Sequence, residues 1–118
     1  MKLEESKALD QLIEDSQKLV SRNWKKGPKK ELFLSNLKKN QIRNILDMAQ
    51  ATDSFKALQV FILYQAGRKM IAHEFAEDLA SELEKIQKDG GIKSVRLYLG
   101  YLYRYFIWKK SQEGDGSD

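Results

Sequence analysis

Apolar residues recur three and four positions apart along almost the whole chain, and this spacing constrains the fold more than any other feature. No run of residues alternates apolar and polar side chains as a half-buried strand does, and only one Pro interrupts the helical periods. A chain of 118 residues is the size of one domain with a modest core. The sequence therefore predicts an all-α fold, a single compact bundle of about five helices over residues 1–110.

Turn and capping residues set the expected helix ends. The five helices are expected at residues 4–23, at 41–51, from Asp53 or Ser54 onward, at 73–88 and at 92–110. Asn40 is the expected N-cap of the second helix, and Gly90-Gly91 is the expected stop of the fourth. Residues 25–35 are expected to form a linker, and residues 111–118 a disordered tail that is acidic and rich in Gly.

Each predicted helix has one apolar face, which is expected to lie in the core. The expected core positions, in chain order, are Leu9, Leu12, Ile13, Ser16, Val20, Trp24, Ile42, Ile45, Leu46, Ala49, Phe55, Leu58, Phe61, Ile62, Tyr64, Phe75, Leu79, Leu83, Ile86, Val95, Leu99, Leu102 and Phe106. The last helix also carries an aromatic stripe beside its core face, made of Tyr98, Tyr101, Tyr105 and Trp108. We expect this stripe to be core or a protein interface rather than a base-stacking platform, because the neighbouring face is equally apolar.

Positive charge is concentrated in one segment, residues 18–43. It holds nine basic residues against the single acid Glu31, whereas residues 1–17 and 44–118 each carry a small net negative charge. The basic residues are Lys18, Arg22, Lys25, Lys26, Lys29, Lys30, Lys38, Lys39 and Arg43. A solvated linker is the plain interpretation, but like charges at this density repel one another unless an anion compensates them. The segment therefore favours a phosphate backbone as partner.

Motifs for catalysis or metal binding are not found. The chain has no Cys and one His, which leaves no disulfide, no thiolate zinc site and no His-rich metal site. It also lacks a phosphate-cradling Gly-rich loop and a nucleophile motif. His73 with Glu74 and Glu77 is interpreted as a helix start, where acids favour the helix dipole. No enzyme activity, cofactor or small-molecule substrate is predicted.

The N-terminus and the apolar stretches point to a cytoplasmic protein. The first residues are charged and lack the apolar region of a secretory signal. The longest apolar-leaning stretch, residues 95–108, contains two Arg and is shorter than the ~20 residues that cross a bilayer. No membrane partner is expected.

Two short motifs resemble those of a known family. One is Leu37-Lys38-Lys39-Asn40-Gln41-Ile42-Arg43-Asn44-Ile45-Leu46, and the other is Tyr64-Gln65-Ala66-Gly67-Arg68, some twenty residues later. Their order and spacing, the aromatic final helix and the lack of catalytic motifs resemble the small subunit of type III-A CRISPR effector complexes, the Csm small subunit. The resemblance covers roughly residues 8–110.

The resemblance implies a function without catalysis. A helical bundle of this family contacts the crRNA and its target RNA inside the Csm complex, beside the other subunits and copies of itself, in antiviral defence. Arg43 and Arg68 match the family's motifs and are expected to face RNA. Charge alone adds Lys25, Lys26, Lys29, Lys30, Lys38, Lys39 and Lys69. The alternative is a small helical adaptor or homodimerisation module, which binds a protein partner through the aromatic final helix.

Overall fold

The computed structural model describes residues 3–24 and 33–112, and they form an all-helical bundle without strands. The all-α prediction is confirmed. The helices are α1 (Leu3–Arg22), a 3-10 turn (Leu34–Asn36), α2 (Lys39–Ala51), α3 (Phe55–Gly67) and α4 (His73–Gln112).

The helix count is four rather than the predicted five. The predicted fourth and fifth helices form one long α4, which is kinked where Gly91 adopts φ 73° and ψ −172°. This backbone conformation suits Gly because a Cβ there would be strained. A Cβ on Gly90 would collide with the side chain of Ser94. The backbone therefore leaves the helical conformation at the Gly pair, where a stop was expected, but no loop separates the two halves.

Some helix ends lie where the sequence predicts them, and others do not. Ser54 is the N-cap of α3, and its Oγ accepts a hydrogen bond from the Ala57 N–H at 3.1 Å. Asn40 is not the N-cap of α2, because Lys38 holds that position. α4 continues to Gln112, so the predicted tail begins inside a helix. Residues 113–118, and residues 25–32 of the predicted linker, lie outside the described part of the chain.

α4 lies at the centre of the bundle. α1, α2 and α3 all pack against it, and α2 also contacts α3. Every expected core position of α2 and of α4 is buried. Tyr64 of α3, which was expected in the core, is 56 % exposed. Five other expected core residues are only partly buried: Leu9, Leu12, Ile13, Phe55 and Phe61.

Arg22 links α1 to α4. Its guanidinium donates to the Asp78 carboxylate at 2.8 and 2.9 Å, and the buried Asn23 donates to the same carboxylate at 2.9 Å. The hydrogen bond to Asp78 raises the pKa of Arg22 despite partial burial. This member of the basic segment therefore has a structural partner within the chain.

Arg96 holds the turn between α2 and α3 against α4. It donates to the carbonyl oxygens of Ala49 and Thr52 and to the Asp53 carboxylate, each at 2.9 Å. The last carbonyls of a helix have no partner inside the helix, so a cation from α4 satisfies them. The contact fixes the α2–α3 hairpin, whose open end carries the candidate site. No helix in the described ranges is long and apolar enough to span a membrane.

Candidate nucleic-acid interface

The N-terminus of α2 is capped by a side chain from the first turn of the same helix. Lys38 at the N-cap has extended backbone, and its N–H donates to Gln41 Oε1 at 2.8 Å. Gln at this third helical position is the acceptor half of a capping box. Asn40 is therefore inside the helix, and its amide is not used for capping.

The end of α3 is a Schellman turn built on a residue other than Gly. The Met70 N–H donates to the Gln65 carbonyl and the Lys69 N–H to the Ala66 carbonyl, both at 2.9 Å. Lys69 has φ 62°, the left-handed conformation that this turn requires and that Gly usually supplies. Gly67 is the last residue of α3, so the Gly of this motif lies at a helix end.

These two helix ends enclose an open groove of about 310 Å³. We call it the amide groove, because four of its described lining residues carry carboxamides and none of those described carries a carboxylate. It is lined by Lys38, Asn40, Gln41, Asn44, Gln65, Arg68 and Met70. The two motif segments, far apart in sequence, therefore meet at one surface.

Three of the four carboxamides have unused hydrogen-bonding groups. Gln41 accepts from the Lys38 N–H and donates to Met70 Sδ at 3.9 Å. The side chains of Asn40, Asn44 and Gln65 make no hydrogen bond to any residue in the described ranges. Donors and acceptors are therefore available to a ligand from both walls of the groove.

Arg68 lies at one end of the groove. Its guanidinium carbon is 5.6 Å from the centroid of the Tyr64 ring, a cation–π distance, and the side chain is exposed. The Arg68 backbone N–H, rather than its side chain, donates to the Tyr64 carbonyl at the helix end. The guanidinium therefore has its hydrogen-bond donors available.

Arg43, the other Arg expected to face RNA, does not line the groove. It forms an ion pair with Asp47 at 3.0 Å, four residues along α2, and lies 5.7 Å from the Tyr103 ring centroid. The hydrogen bond to Asp47, with a smaller effect from the neighbouring Tyr103, raises the pKa of Arg43. Of these two Arg residues, Arg68 lines the amide groove and Arg43 does not.

The predicted RNA-binding lysines differ in their positions. Lys38 is exposed and lines the groove, and Lys69 is exposed at the turn that forms its edge. Lys39 is half-buried and is outside the groove lining. Lys25, Lys26, Lys29 and Lys30 lie outside the described residues.

The aromatic stripe of the last helix is divided between core and surface. Tyr98 is fully buried, and burial raises its pKa, so it belongs to the core rather than to an interface. Trp108 is 52 % exposed and stacks on Tyr105 with ring centroids 5.6 Å apart. Tyr101 is half-buried beneath the guanidinium of Arg104, 5.0 Å from its ring centroid. The residues of the stripe that are still predicted to form a protein interface are therefore Tyr101, Tyr105 and Trp108.

Sequence reasoning missed a second exposed apolar surface. On α3, Val60, Leu63 and Tyr64 are 66, 49 and 56 % exposed and lie at helical spacing on one face. The available signal was the lack of any charged residue between Lys56 and Arg68. A helix that is apolar on all sides either is fully buried or presents an apolar face to a partner.

Neither the described side chains nor comparison with known proteins assigns this chain to a family. The described ranges contain no group of three or more Asp, Glu or His side chains placed to hold a metal ion. No family model matches the sequence, and no curated protein and no solved structure matches it. The functional inference rests on the residues of the amide groove and on the two motif segments that form it.

Proposed function

We propose that this protein is a non-catalytic, RNA-binding small subunit of a type III-A CRISPR (Csm) effector complex that acts in antiviral defence in the cytoplasm. The observation that carries the proposal is the amide groove, since both motif segments that resemble the family line it. Its partners would be the crRNA, the target RNA, the other Csm subunits and copies of itself.

The chemistry of the site fits such a role. In an RNA-guided complex, base pairing between guide and target supplies the sequence specificity, so the protein subunits need only bind the backbone. Lys38 and Arg68 place two cations on the groove, and none of its described lining residues is Asp or Glu. Phosphate contacts by such side chains release counterions and make the affinity depend on salt.

Titration of labelled RNA at several salt concentrations tests the proposal. The logarithm of the association constant should fall linearly with the logarithm of salt, by roughly 0.7 to 0.9 units for each phosphate contact. Duplex and single-stranded RNA should both bind. Affinity that does not change with salt would refute a subunit that binds through phosphates.

A charge-matched pair of variants separates a local site from net charge. The double variant Lys38→Ala with Arg68→Ala removes two cations from the groove, whereas Lys85→Ala with Lys88→Ala removes two exposed cations of α4 outside it. Only the groove variant should reduce the slope of the logarithm of the association constant against the logarithm of salt, by the amount expected for about two phosphate contacts. Equal weakening in both would show that net charge alone attracts the RNA.

The outer face of α4 favours a second candidate, the helical adaptor or homodimerisation module. Leu97 and Trp108 are 48 and 52 % exposed on the side opposite the core. An exposed apolar stripe of this kind is typical of a protein interface. Self-association that Trp108→Ala abolishes, together with no RNA binding by the unaltered protein, would favour this candidate over the first.

A further inference from the structure

We propose that copies of this protein join head to tail, with an apolar surface of α3 in one copy bound in a groove between α1 and α4 of the next copy. The apolar surface consists of Val60, Leu63 and Tyr64, and we call it the α3 stripe. The inference deepens the proposed function, which includes copies of this chain as partners. It rests on residues that do not line the amide groove, so the two proposals can be tested separately.

The α3 stripe is an apolar surface that the described part of the chain leaves open. Its middle residue, Leu63, is 49 % exposed, although other sides of α3 pack on α2 and α4. Gly67 continues the same face one turn later, and a Cβ added to it would meet only open space. A large side chain from another molecule can therefore approach the backbone there. Such a contiguous apolar face is typical of a protein interface.

Cations flank the α3 stripe at both ends. Lys56 lies one turn before Val60, Arg68 and Lys69 follow the stripe, and the sequence has no Asp or Glu between residues 54 and 72. Two stripes packed on each other would bring cations against cations at both ends, whether the helices were parallel or antiparallel. Like charges disfavour that pairing, so the stripe fits a partner surface that is apolar in the middle and acidic around it.

A groove between α1 and α4 has an apolar lining of the required kind. Its volume is about 440 Å³, and we call it the acidic groove. Ala8 and Leu12 contribute apolar surface from α1, and Ile86 contributes it from α4. Ala8 is exposed and Leu12 is half-buried, so this surface is open to a partner.

The acidic groove also has the charge that the α3 stripe lacks. Its described lining residues include three carboxylates, Asp15, Glu82 and Asp89, against one cation, Lys85. Lys85 and Arg22 both pair with Glu82, at 3.9 and 3.4 Å, so Asp15 and Asp89 supply most of the negative charge. The cations that flank the α3 stripe complement this charge. The two surfaces therefore match in both apolar area and sign.

The positions of the two surfaces decide the symmetry of the contact. α1 and α3 both pack on α4, but neither is a main contact of the other among the described residues. A copy that binds through its α3 stripe therefore still offers its acidic groove to another copy. Such a heterologous contact continues from copy to copy and does not stop at a dimer.

Sedimentation of the protein alone, over a range of concentrations, tests the inference. The unaltered protein should form species larger than a dimer as its concentration rises. Leu63→Glu places a carboxylate on the α3 stripe, and Ala8→Lys places a long charged side chain in the acidic groove. Each variant should weaken self-association at least about tenfold. Both positions are exposed, so the melting temperature should stay close to the unaltered value.

An equimolar mixture of the two variants is the decisive sample. Leu63→Glu retains an intact acidic groove and Ala8→Lys retains an intact α3 stripe, so the mixture should form a 1:1 dimer and nothing larger. A mixture that stays monomeric would overturn the inference. Dimers formed by Ala8→Lys alone would overturn it too, because they would show that the stripe pairs with itself. An unaltered protein that remains monomeric at the highest concentration would have the same consequence.

Leu97→Glu is the matched control, because Leu97 is 48 % exposed and lies on the outer face of α4. It should self-associate as the unaltered protein does, and dispersal by this variant would assign the contact to α4 and overturn the inference. RNA titration separates this inference from the RNA site. Leu63→Glu and Ala8→Lys should keep the salt dependence of RNA binding, since neither residue lines the amide groove. Head-to-tail assembly of a protein that binds no RNA would refute the RNA-binding function and support this contact.

Discussion

Replacing Lys69 by Gly should stabilise the protein, although it removes a charged side chain. Lys69 has φ 62°, and the left-handed conformation costs a residue with a Cβ roughly 1 to 2 kcal/mol. Gly has no such cost, but its greater freedom in the unfolded chain costs roughly 0.5 to 1 kcal/mol. The difference is a gain of about 0.5 to 1 kcal/mol in the free energy of unfolding.

Urea unfolding of three proteins measures this gain: the unaltered protein, Lys69→Gly and Lys69→Ala. The Ala variant keeps the Cβ and loses only the exposed charge, so its free energy of unfolding should stay within about 0.5 kcal/mol of the unaltered value. The Gly variant should exceed both, with a melting temperature higher by about 4 °C. Gly and Ala variants of equal stability would refute the strained Schellman turn at the end of α3.

The same two variants test the RNA surface. Both lose the ammonium group, so both should weaken RNA binding by the same factor if Lys69 contacts a phosphate. Unchanged affinity in both variants would remove Lys69 from the RNA-facing set while leaving the stability argument intact. A Lys kept at a position that favours Gly is expected where the charge has a function.

Three further predictions concern α4. Arg96→Ala should lower the free energy of unfolding by about 2 kcal/mol in chemical denaturation, because it leaves the carbonyls at the end of α2 without their charged donor. Burial raises the pKa of Tyr98, so above pH 10 the unfolded chain loses a proton that the folded chain keeps. The free energy of unfolding should therefore fall by about 1.4 kcal/mol per pH unit above pH 10. Unfolding curves measured between pH 9 and 11 should show that Tyr98→Phe lacks this fall. Trp108→Ala should weaken assembly, measured by sedimentation, and lower stability by less than about 2 kcal/mol, whereas Trp24→Ala, at a core position that is 5 % exposed, should lower it by about 3 to 5 kcal/mol.

Helical faces were predictable because their signal is local. On α2 the four expected core residues, Ile42, Ile45, Leu46 and Ala49, are all buried. Their spacing alone places them on one side of a helix, and a bundle of this size buries one side of each helix. The Ser54 cap was predictable for the same reason, since the hydroxyl contacts its own first turn.

Burial of residues at the border of a face was not predictable. Tyr98 was expected beside the core face of its helix and Tyr64 within the core, yet Tyr98 is fully buried and Tyr64 is mostly exposed. Helical spacing gives the angle between two side chains but not how many neighbours surround the helix. Three helices pack on α4, whereas the main contacts of α3 among the described residues are with α2 and α4, so the same type of residue is buried on one and exposed on the other.

The charge of the basic segment also depends on contacts that the sequence does not reveal. Arg22 is paired with Asp78 and Arg43 with Asp47, and both acids lie outside the segment. A count of charges along the chain therefore overstates the cations that these residues offer to RNA, although such exposed pairs are individually weak. At the amide groove, by contrast, Lys38 comes from inside the segment and Arg68 from outside it. The local positive charge at the groove thus depends on which helix ends meet there. The salt dependence of RNA binding should therefore reflect the number of cations at the groove more closely than the number of Lys and Arg between residues 18 and 43.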